Sequence, residues 1–157
     1  MEIVKQIFTN PMLLAPLIAW GVCQLIKFIT HLVKEKKIDF KRFVSDGGMP
    51  SAHSATVMSL TVVAGWIDQL QFSSPAFAIA LVFTIVIMRD AVGVRRDTGK
   101  NARAIKKILD DINSKREPEE QIQTEKLKLV AGHTPLQVTV GAVVGVVVAI
   151  LYIILFL

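Results

Sequence analysis

The fold is decided by residues 135–157, PLQVTVGAVVGVVVAILYIILFL, a stretch without a charged side chain. A membrane-spanning helix needs about 20 largely apolar residues, so this stretch is long enough to cross a bilayer. Three more apolar stretches begin at a proline and cover residues 11–33, 50–66 and 75–92. The second of these is the shortest and contains serine and threonine. The sequence therefore predicts an all-α, polytopic membrane protein with about four transmembrane helices.

The composition limits the class of partner. At 157 residues the chain has room for one domain, which we assign to residues 1–157. The net charge of +5 comes from basic residues in the segments that flank the apolar stretches. There they favour a fixed orientation and contact with anionic lipid head groups. No signature of nucleic-acid binding accompanies them. We therefore expect the lipid bilayer as a partner and no nucleic acid.

The basic residues are distributed unevenly between the connecting segments. Residues 34–49 include five lysines and arginines, residues 89–133 include eleven, and residues 67–74 include none. The positive-inside rule then predicts that the first and third loops are cytoplasmic and that both termini are outside the cell membrane. The third loop, residues 93–134, has an apolar residue at helical spacing at positions 105, 108, 109 and 112. We predict a cytoplasmic hairpin of amphipathic helices there, either a connector or a lid or lipid-facing element.

This topology can be tested by labelling with a thiol reagent that does not cross membranes. Single cysteines at Ser45, Ser73 and Ser114 would be introduced in a Cys23→Ser background, since Cys23 is the only native cysteine. In intact cells we expect labelling at position 73 and protection at positions 45 and 114. The reverse pattern would invert the predicted orientation.

The single cysteine also excludes an internal disulfide and a cysteine-based zinc site.

The last apolar stretch has small residues on one helix face, at Gly141, Gly145 and Ala149. Residues four apart lie on the same face, and small side chains there let two helices approach closely. This pattern is compatible with packing inside the chain and with a homodimer, and it does not distinguish between them.

The first polar motif is GGMPSAHSA, residues 47–55, at the start of the second apolar stretch. Pro50 fits the first turn of a helix, and Gly47 and Gly48 let the backbone approach a ligand closely. A helix N-terminus with a nearby Ser51 hydroxyl is suited to an anion, and His53 follows in the first turn. A helix cap with an interfacial histidine is the alternative interpretation of this motif.

The second polar motif is RDAVGVRRDTGKNA, residues 89–102, where the third apolar stretch ends. Asp90 lies at the edge of that stretch, where a charged group is costly unless it is paired or functional. Arg95 and Arg96 follow, and arginine is well suited to bidentate phosphate binding. A simple positive-inside anchor is the alternative for these two residues.

The third polar motif is GHTPLQ, residues 132–137, at the start of the last apolar stretch. Thr134 is a good N-cap and Pro135 a good first helical residue, so His133 is expected just ahead of a helix N-terminus. In the predicted topology all three motifs reach the cytoplasmic face. Two histidines with an arginine pair between them suit phosphoryl transfer, with one imidazole attacking phosphorus and the other protonating the leaving oxygen. A serine-histidine-acid triad fits less well, because Ser51 and His53 are two residues apart on one helix.

These motifs resemble a known family. Residues 50–53, Pro-Ser-Ala-His, resemble the Pro-Ser-Gly-His motif of the type-2 phosphatidic acid phosphatases, which are related to acid phosphatases and vanadium-dependent haloperoxidases. His133 with Gln137 resembles the closing His-x-x-x-Asp motif of that family. The combination of GGMPSAHSA, DAVGVRR and GHTP is similar to its divergent branch of small membrane proteins, over about residues 24–145.

The resemblance implies a role for each matching position. His133 would be the nucleophile that forms a phosphohistidine, His53 the general acid and Ser51 a phosphate ligand. The family's Lys-x6-Arg-Pro motif is absent, and no arginine stands six residues before His133. We expect other basic residues to bind phosphate in their place: Lys27, Lys41 or Arg42 for the first motif, and Arg95 or Arg96 for the missing arginine. Gly47 and Gly48 would let the backbone contribute to the same substrate site.

Gln137 stands where the family has an acid. Its amide oxygen can accept a hydrogen bond from the His133 imidazole, while Asp90 can supply the missing negative charge or hold an arginine. The sequence thus predicts a membrane phosphatase that hydrolyses a lipid phosphate monoester or diphosphate without a metal or other cofactor. The alternative is a non-enzymatic membrane protein that keeps the anion pocket for lipid binding, transport or assembly.

Overall fold

The computed structural model describes residues 1–36, 48–67, 72–117, 119, 122 and 132–157. Within these ranges the chain forms helices and no strand, which confirms the predicted all-α class. The helices are α1 (Glu2–Phe8), α2 (Pro11–Glu35), α3 (Ala52–Ile67), α4 (Pro75–Val92), α5 (Val94–Asn113) and α6 (Pro135–Phe156). The short α1 was not predicted, because seven residues are too few to show a helical period.

Three helical segments of the described chain are long and apolar enough to cross a membrane: α2, the segment Pro75–Asn113 that includes α4, and α6. The fourth apolar helix, α3, has only 16 residues. It lies at the centre of the bundle and contacts α2, α4 and α6. The other helices present large apolar side chains outward, as a lipid environment requires. The prediction of a polytopic membrane protein is confirmed.

The predicted proline-marked helix starts are present in three of the four cases. Proline can occupy the first turn because its missing N–H would have no partner there. The residue before each proline accepts a hydrogen bond from a backbone N–H of that turn, and these pairs are Asn10 with Pro11, Ser74 with Pro75 and Thr134 with Pro135. The fourth start differs, since α3 begins two residues after Pro50.

The small-residue face of α6 packs inside the chain. A Cβ atom added at Gly141 would overlap the carbonyl oxygen of Ser51, and one added at Gly145 would overlap that of Ala55. The backbones of α3 and α6 are therefore in direct contact at two successive turns. The sequence was compatible with the use of Gly141 and Gly145 either inside the chain or in a homodimer. The structure uses them inside the chain.

A polar contact joins α3 to α4 in the apolar interior. Thr84 donates a hydrogen bond to the carbonyl oxygen of Val57 at 2.9 Å, and its hydroxyl lies 2.8 Å from that of Thr61. Such interhelical hydrogen bonds add to packing where the surroundings are apolar. The bundle is thus held by close backbone contact on one side of α3 and by hydroxyl groups on another.

The third loop begins with the amphipathic helix α5, as the spacing predicted. Ile105 and Ile108 on its apolar face are exposed. At its end, the side chain of Asn113 exchanges two hydrogen bonds of 2.9 Å with the backbone of Ile122, so the chain turns back there. The second predicted helix of the hairpin lies outside the described residues except at positions 119 and 122.

Candidate functional site

The two motif histidines lie next to each other although they are distant in sequence. The imidazole of His53 in the first turn of α3 and that of His133 just ahead of α6 have ring centroids 6.1 Å apart and planes at 86°. His133 is buried, with 4% of its surface exposed, and His53 is half-buried. A phosphoryl group and its hydrogen bonds span a comparable distance. The separation of the two rings is therefore compatible with one shared phosphoryl group.

Backbone contacts with the end of α4 hold His133. Its N–H donates to the carbonyl oxygen of Ala91 at 3.2 Å. The preceding Gly132 lies directly on the chain at Arg95 and Arg96, where an added Cβ would overlap the backbone of Arg96. A glycine is needed there because no side chain fits. The second motif thus supports His133 through its main chain.

The start of α3, which holds His53, is tied to the start of α6. The N–H of Ser51 donates to the carbonyl oxygen of Gln137 at 3.0 Å. The Ser51 hydroxyl accepts hydrogen bonds from the N–H of Ser54 at 3.4 Å and from its hydroxyl at 3.0 Å. Ser51 is fully buried. The structure therefore favours the helix-cap interpretation of this serine over its predicted role as a phosphate ligand.

The predicted contact between Gln137 and the His133 imidazole is wrong. The Gln137 amide oxygen accepts a hydrogen bond from the backbone N–H of Thr134 at 2.9 Å. In return, the Thr134 hydroxyl accepts one from the N–H of Gln137 at 3.3 Å. This reciprocal pair is a capping box, which satisfies two donors at the start of α6. Glutamine is a preferred residue at this capping position, so its choice has a structural reason.

Asp90 forms an ion pair with Arg95, with Oδ2 and Nε 2.7 Å apart and both side chains about half exposed. Of the two roles expected for this carboxylate, the structure shows that of holding an arginine. The pair orients the Arg95 side chain next to the backbone of Arg95 and Arg96, which contacts Gly132. Arg96 is half-buried at the same place.

A cavity of about 410 Å³ opens where α2 ends beside the loop that precedes α3. Its lining includes Lys27, His31 and Lys34 of α2, together with Gly48 and Pro50 of the loop. Gly48 has a φ of 97°, in a region that other residues rarely adopt, which explains the glycine at this position. The two candidate residues Gly47 and Arg42, and Lys41, lie outside the described residues.

A second cavity, of about 280 Å³, lies between α2, α3 and α4, and His53 is part of its wall. Lys27 lines both cavities and is only 7% exposed. It follows Ala15, Ala19 and Cys23 at intervals of four residues on the buried face of α2. A charged side chain inside a membrane-spanning helix is usually paired or functional, so Lys27 is a candidate residue of the site. It lines the same cavity as His53, and its role as a phosphate ligand stays a prediction.

Sequence reasoning missed Gln24, which lines the second cavity together with Trp20, Thr56 and Phe83. The signal was present, because a polar side chain inside a membrane-spanning stretch is uncommon unless it has a partner or a function. Gln24 was overlooked because the charged Lys27, three residues later, is the stronger signal.

Two comparisons with known proteins gave a match. A model of the divergent PAP2 family matches residues 8–148. The chain is 35% identical over 148 residues to the uncharacterized membrane protein YuiD of Bacillus subtilis (strain 168), covering 90% of this chain and 92% of that protein. No solved structure matches. The family match covers α2 to α5, most of α6 and all three motifs, and the chain therefore belongs to the divergent PAP2 family.

Proposed function

We propose that this protein is a membrane phosphatase that hydrolyses a lipid phosphate monoester or diphosphate through a histidine nucleophile. The observation that carries the proposal is the contact between His53 and His133, with ring centroids 6.1 Å apart at one end of the bundle. The two residues come from different motifs and are fixed by backbone hydrogen bonds of two separate helices. An arrangement of this kind holds two imidazoles ready for one substrate group.

The surroundings of the pair are suited to a phosphate that belongs to a lipid. Lys27 is buried in the wall of the cavity that His53 lines. Arg95, which is paired with Asp90, lies next to Gly132, the residue before His133. Apolar side chains complete that cavity, including Trp20, whereas the larger cavity is rich in basic residues of α2. Cationic groups beside an apolar cavity match a molecule with an anionic head and an apolar chain.

In the proposed reaction the imidazole of His133 attacks phosphorus while the bond to the leaving oxygen breaks. His53 gives its proton to that oxygen. The leaving group is then a neutral alcohol for a monoester, or a singly protonated lipid phosphate for a diphosphate. Water then attacks the phosphohistidine with His53 as general base, which releases inorganic phosphate and restores both imidazoles. Lys27 and Arg95 are the candidates to stabilise the phosphoryl oxygens. The charge distribution between loops favours the cytoplasmic side of the cell membrane for this site.

The second candidate function is non-enzymatic binding of a lipid phosphate, for transport or assembly. It is favoured by the structural use of Ser51 and Gln137, which both cap helices at positions where the resemblance implied phosphate binding and imidazole orientation. A protein of this kind would keep the anion pocket and the fold without turnover.

The test is a phosphate-release assay with purified protein in detergent micelles, over a panel of lipid phosphate monoesters and diphosphates. We expect release from at least one lipid, unchanged by a metal chelator and absent in His133→Ala. A labelled phosphate should remain on the wild-type protein after an acid-free quench, because phosphohistidine is acid-labile, and should be missing from the variant. If no lipid is hydrolysed while the protein still binds lipid phosphate, the second candidate function replaces the first.

A further inference from the structure

The cavity between α2, α3 and α4 contains a buried polar group without a counterpart. Gln24 is 3% exposed, and its atom Oε1 is buried with no hydrogen-bond partner among the described residues. Leaving such an acceptor unpaired is costly, so buried amides in folded proteins are normally satisfied. Since Gln24 lines the cavity, a molecule inside the cavity can supply the missing donor.

The same cavity reaches the proposed chemistry. His53 and Lys27 form part of its wall, so an occupant lies within reach of the general acid and of a buried cation. Aromatic and aliphatic side chains form the rest, including Trp20, Phe83 and Ile87. One lipid phosphate in this cavity would therefore meet all of these polar groups, with its phosphate near His53 and Lys27 and its apolar chain against the rings.

The chemistry of the amide defines the group that faces Gln24. A glutamine side chain has an acceptor oxygen and a donor nitrogen, so its best partner both donates and accepts. Among the groups that a lipid carries, a hydroxyl is the smallest of this kind, and the cavity of about 280 Å³ must also hold part of the chain. A second amide group would need more space than a hydroxyl, and a charged group would need a counter-charge.

We propose that Gln24 is a specificity-determining residue which selects lipid phosphates that carry a free hydroxyl close to the phosphate, in preference to lipids without one. This inference rests on the proposed function, since it places the lipid of that reaction in this cavity. A lipid whose only polar group is its phosphate would leave the Gln24 amide unpaired, and sites that are built to bind a hydroxyl reject analogues that lack it.

The test measures binding without turnover. The ligands are two non-hydrolysable phosphonates of a monoacylglycerol phosphate, one with the free 2-hydroxyl and one with hydrogen in its place. Trp20 in the cavity wall reports binding by fluorescence in a Trp66→Phe background, because these are the two tryptophans of the chain. We expect the hydroxyl compound to bind about tenfold or more tightly, and Gln24→Leu to reduce that ratio to about one.

Ser59→Ala is the matched control. Its hydroxyl is also buried without a partner among the described residues, but Ser59 is not part of the wall of either cavity. The control should keep the tenfold preference. Should Gln24→Leu fail to fold, Gln24→Met removes the amide with an unbranched chain of similar length.

Two results would overturn the inference: equal binding of both phosphonates by the wild type, or an unchanged preference in the Gln24 variant. The phosphate-release assay separates this failure from that of the proposed function. Release of phosphate without a hydroxyl preference contradicts the role of Gln24 alone. A hydroxyl preference without release of phosphate from any lipid contradicts the catalytic proposal alone.

Discussion

Gly141→Ala is expected to destabilise the protein strongly, although the change adds one methyl group. The new Cβ would overlap the carbonyl oxygen of Ser51, and backbone atoms of a packed helix cannot move aside at low cost. Overpacking of a core costs about 1–3 kcal/mol, and a direct backbone overlap belongs at the upper end of that range or beyond. Gly145→Ala, which would meet the carbonyl oxygen of Ala55, should behave in the same way.

The matched control is Gly21→Ala in α2. A Cβ added there has no atom within 4 Å, and alanine is a better helix former than glycine by about 1 kcal/mol. Thermal unfolding of the purified proteins in one detergent measures the difference. We expect a clearly lower midpoint for both α6 variants and an equal or higher one for Gly21→Ala. Midpoints that are the same in all three would show that α3 and α6 do not touch in this way.

His53→Ala and His133→Ala are expected to lose activity in different ways. Because His133 is the proposed nucleophile, turnover should disappear for every substrate in His133→Ala. Without His53 the leaving oxygen receives no proton, which should slow release of an alcohol by about 100- to 10,000-fold. A nitrophenol leaves without protonation, so the rate with a nitrophenyl phosphate should fall much less in His53→Ala.

The comparison uses an alkyl and a nitrophenyl phosphate monoester that have the same apolar tail. The phosphoenzyme should still form in His53→Ala with the nitrophenyl compound and should be absent in His133→Ala. If both variants lose both substrates equally, while remaining folded, the separate roles of nucleophile and general acid are refuted. If His53→Ala rather than His133→Ala removes the phosphoenzyme, the two roles are exchanged.

Most of the fold could be predicted from local patterns. Long apolar stretches and prolines at helix starts are encoded within a few neighbouring residues, and they predicted three spans within a few residues of the observed bounds. The helical spacing of apolar residues predicted α5, which begins at Val94, earlier than that spacing showed. The proximity of His53 and His133 was also predictable, since one lies in the first turn of a helix and the other just ahead of a helix on the same predicted face. The side of the membrane on which they lie remains a prediction from charge alone.

The sequence alone could not show which hydrogen-bond partners Gln137 and Ser51 use, because more than one partner is available to each. Gln137 could bind an imidazole or cap a helix, and spacing permits both, but the nearby N–H of Thr134 is the donor that it uses. The same holds for Ser51, whose hydroxyl bonds to Ser54. That the amide oxygen of Gln24 has no hydrogen-bond partner among the described residues can be recognised only from the packing of α2, α3 and α4 around the cavity.

The 16 residues of α3 have a consequence for the surrounding bilayer. At 1.5 Å per residue this helix is about 24 Å long, which is about 6 Å less than the hydrocarbon thickness of a typical bilayer. Because His53 lies in its first turn, either the lipids around the bundle become thinner or the histidine pair lies below the plane of the head groups. In both cases the proposed lipid substrate would need to move its phosphate only a short distance to the imidazoles, while its chains stay among their neighbours. Hydrophobic mismatch would then shorten the path of the proposed substrate to the site.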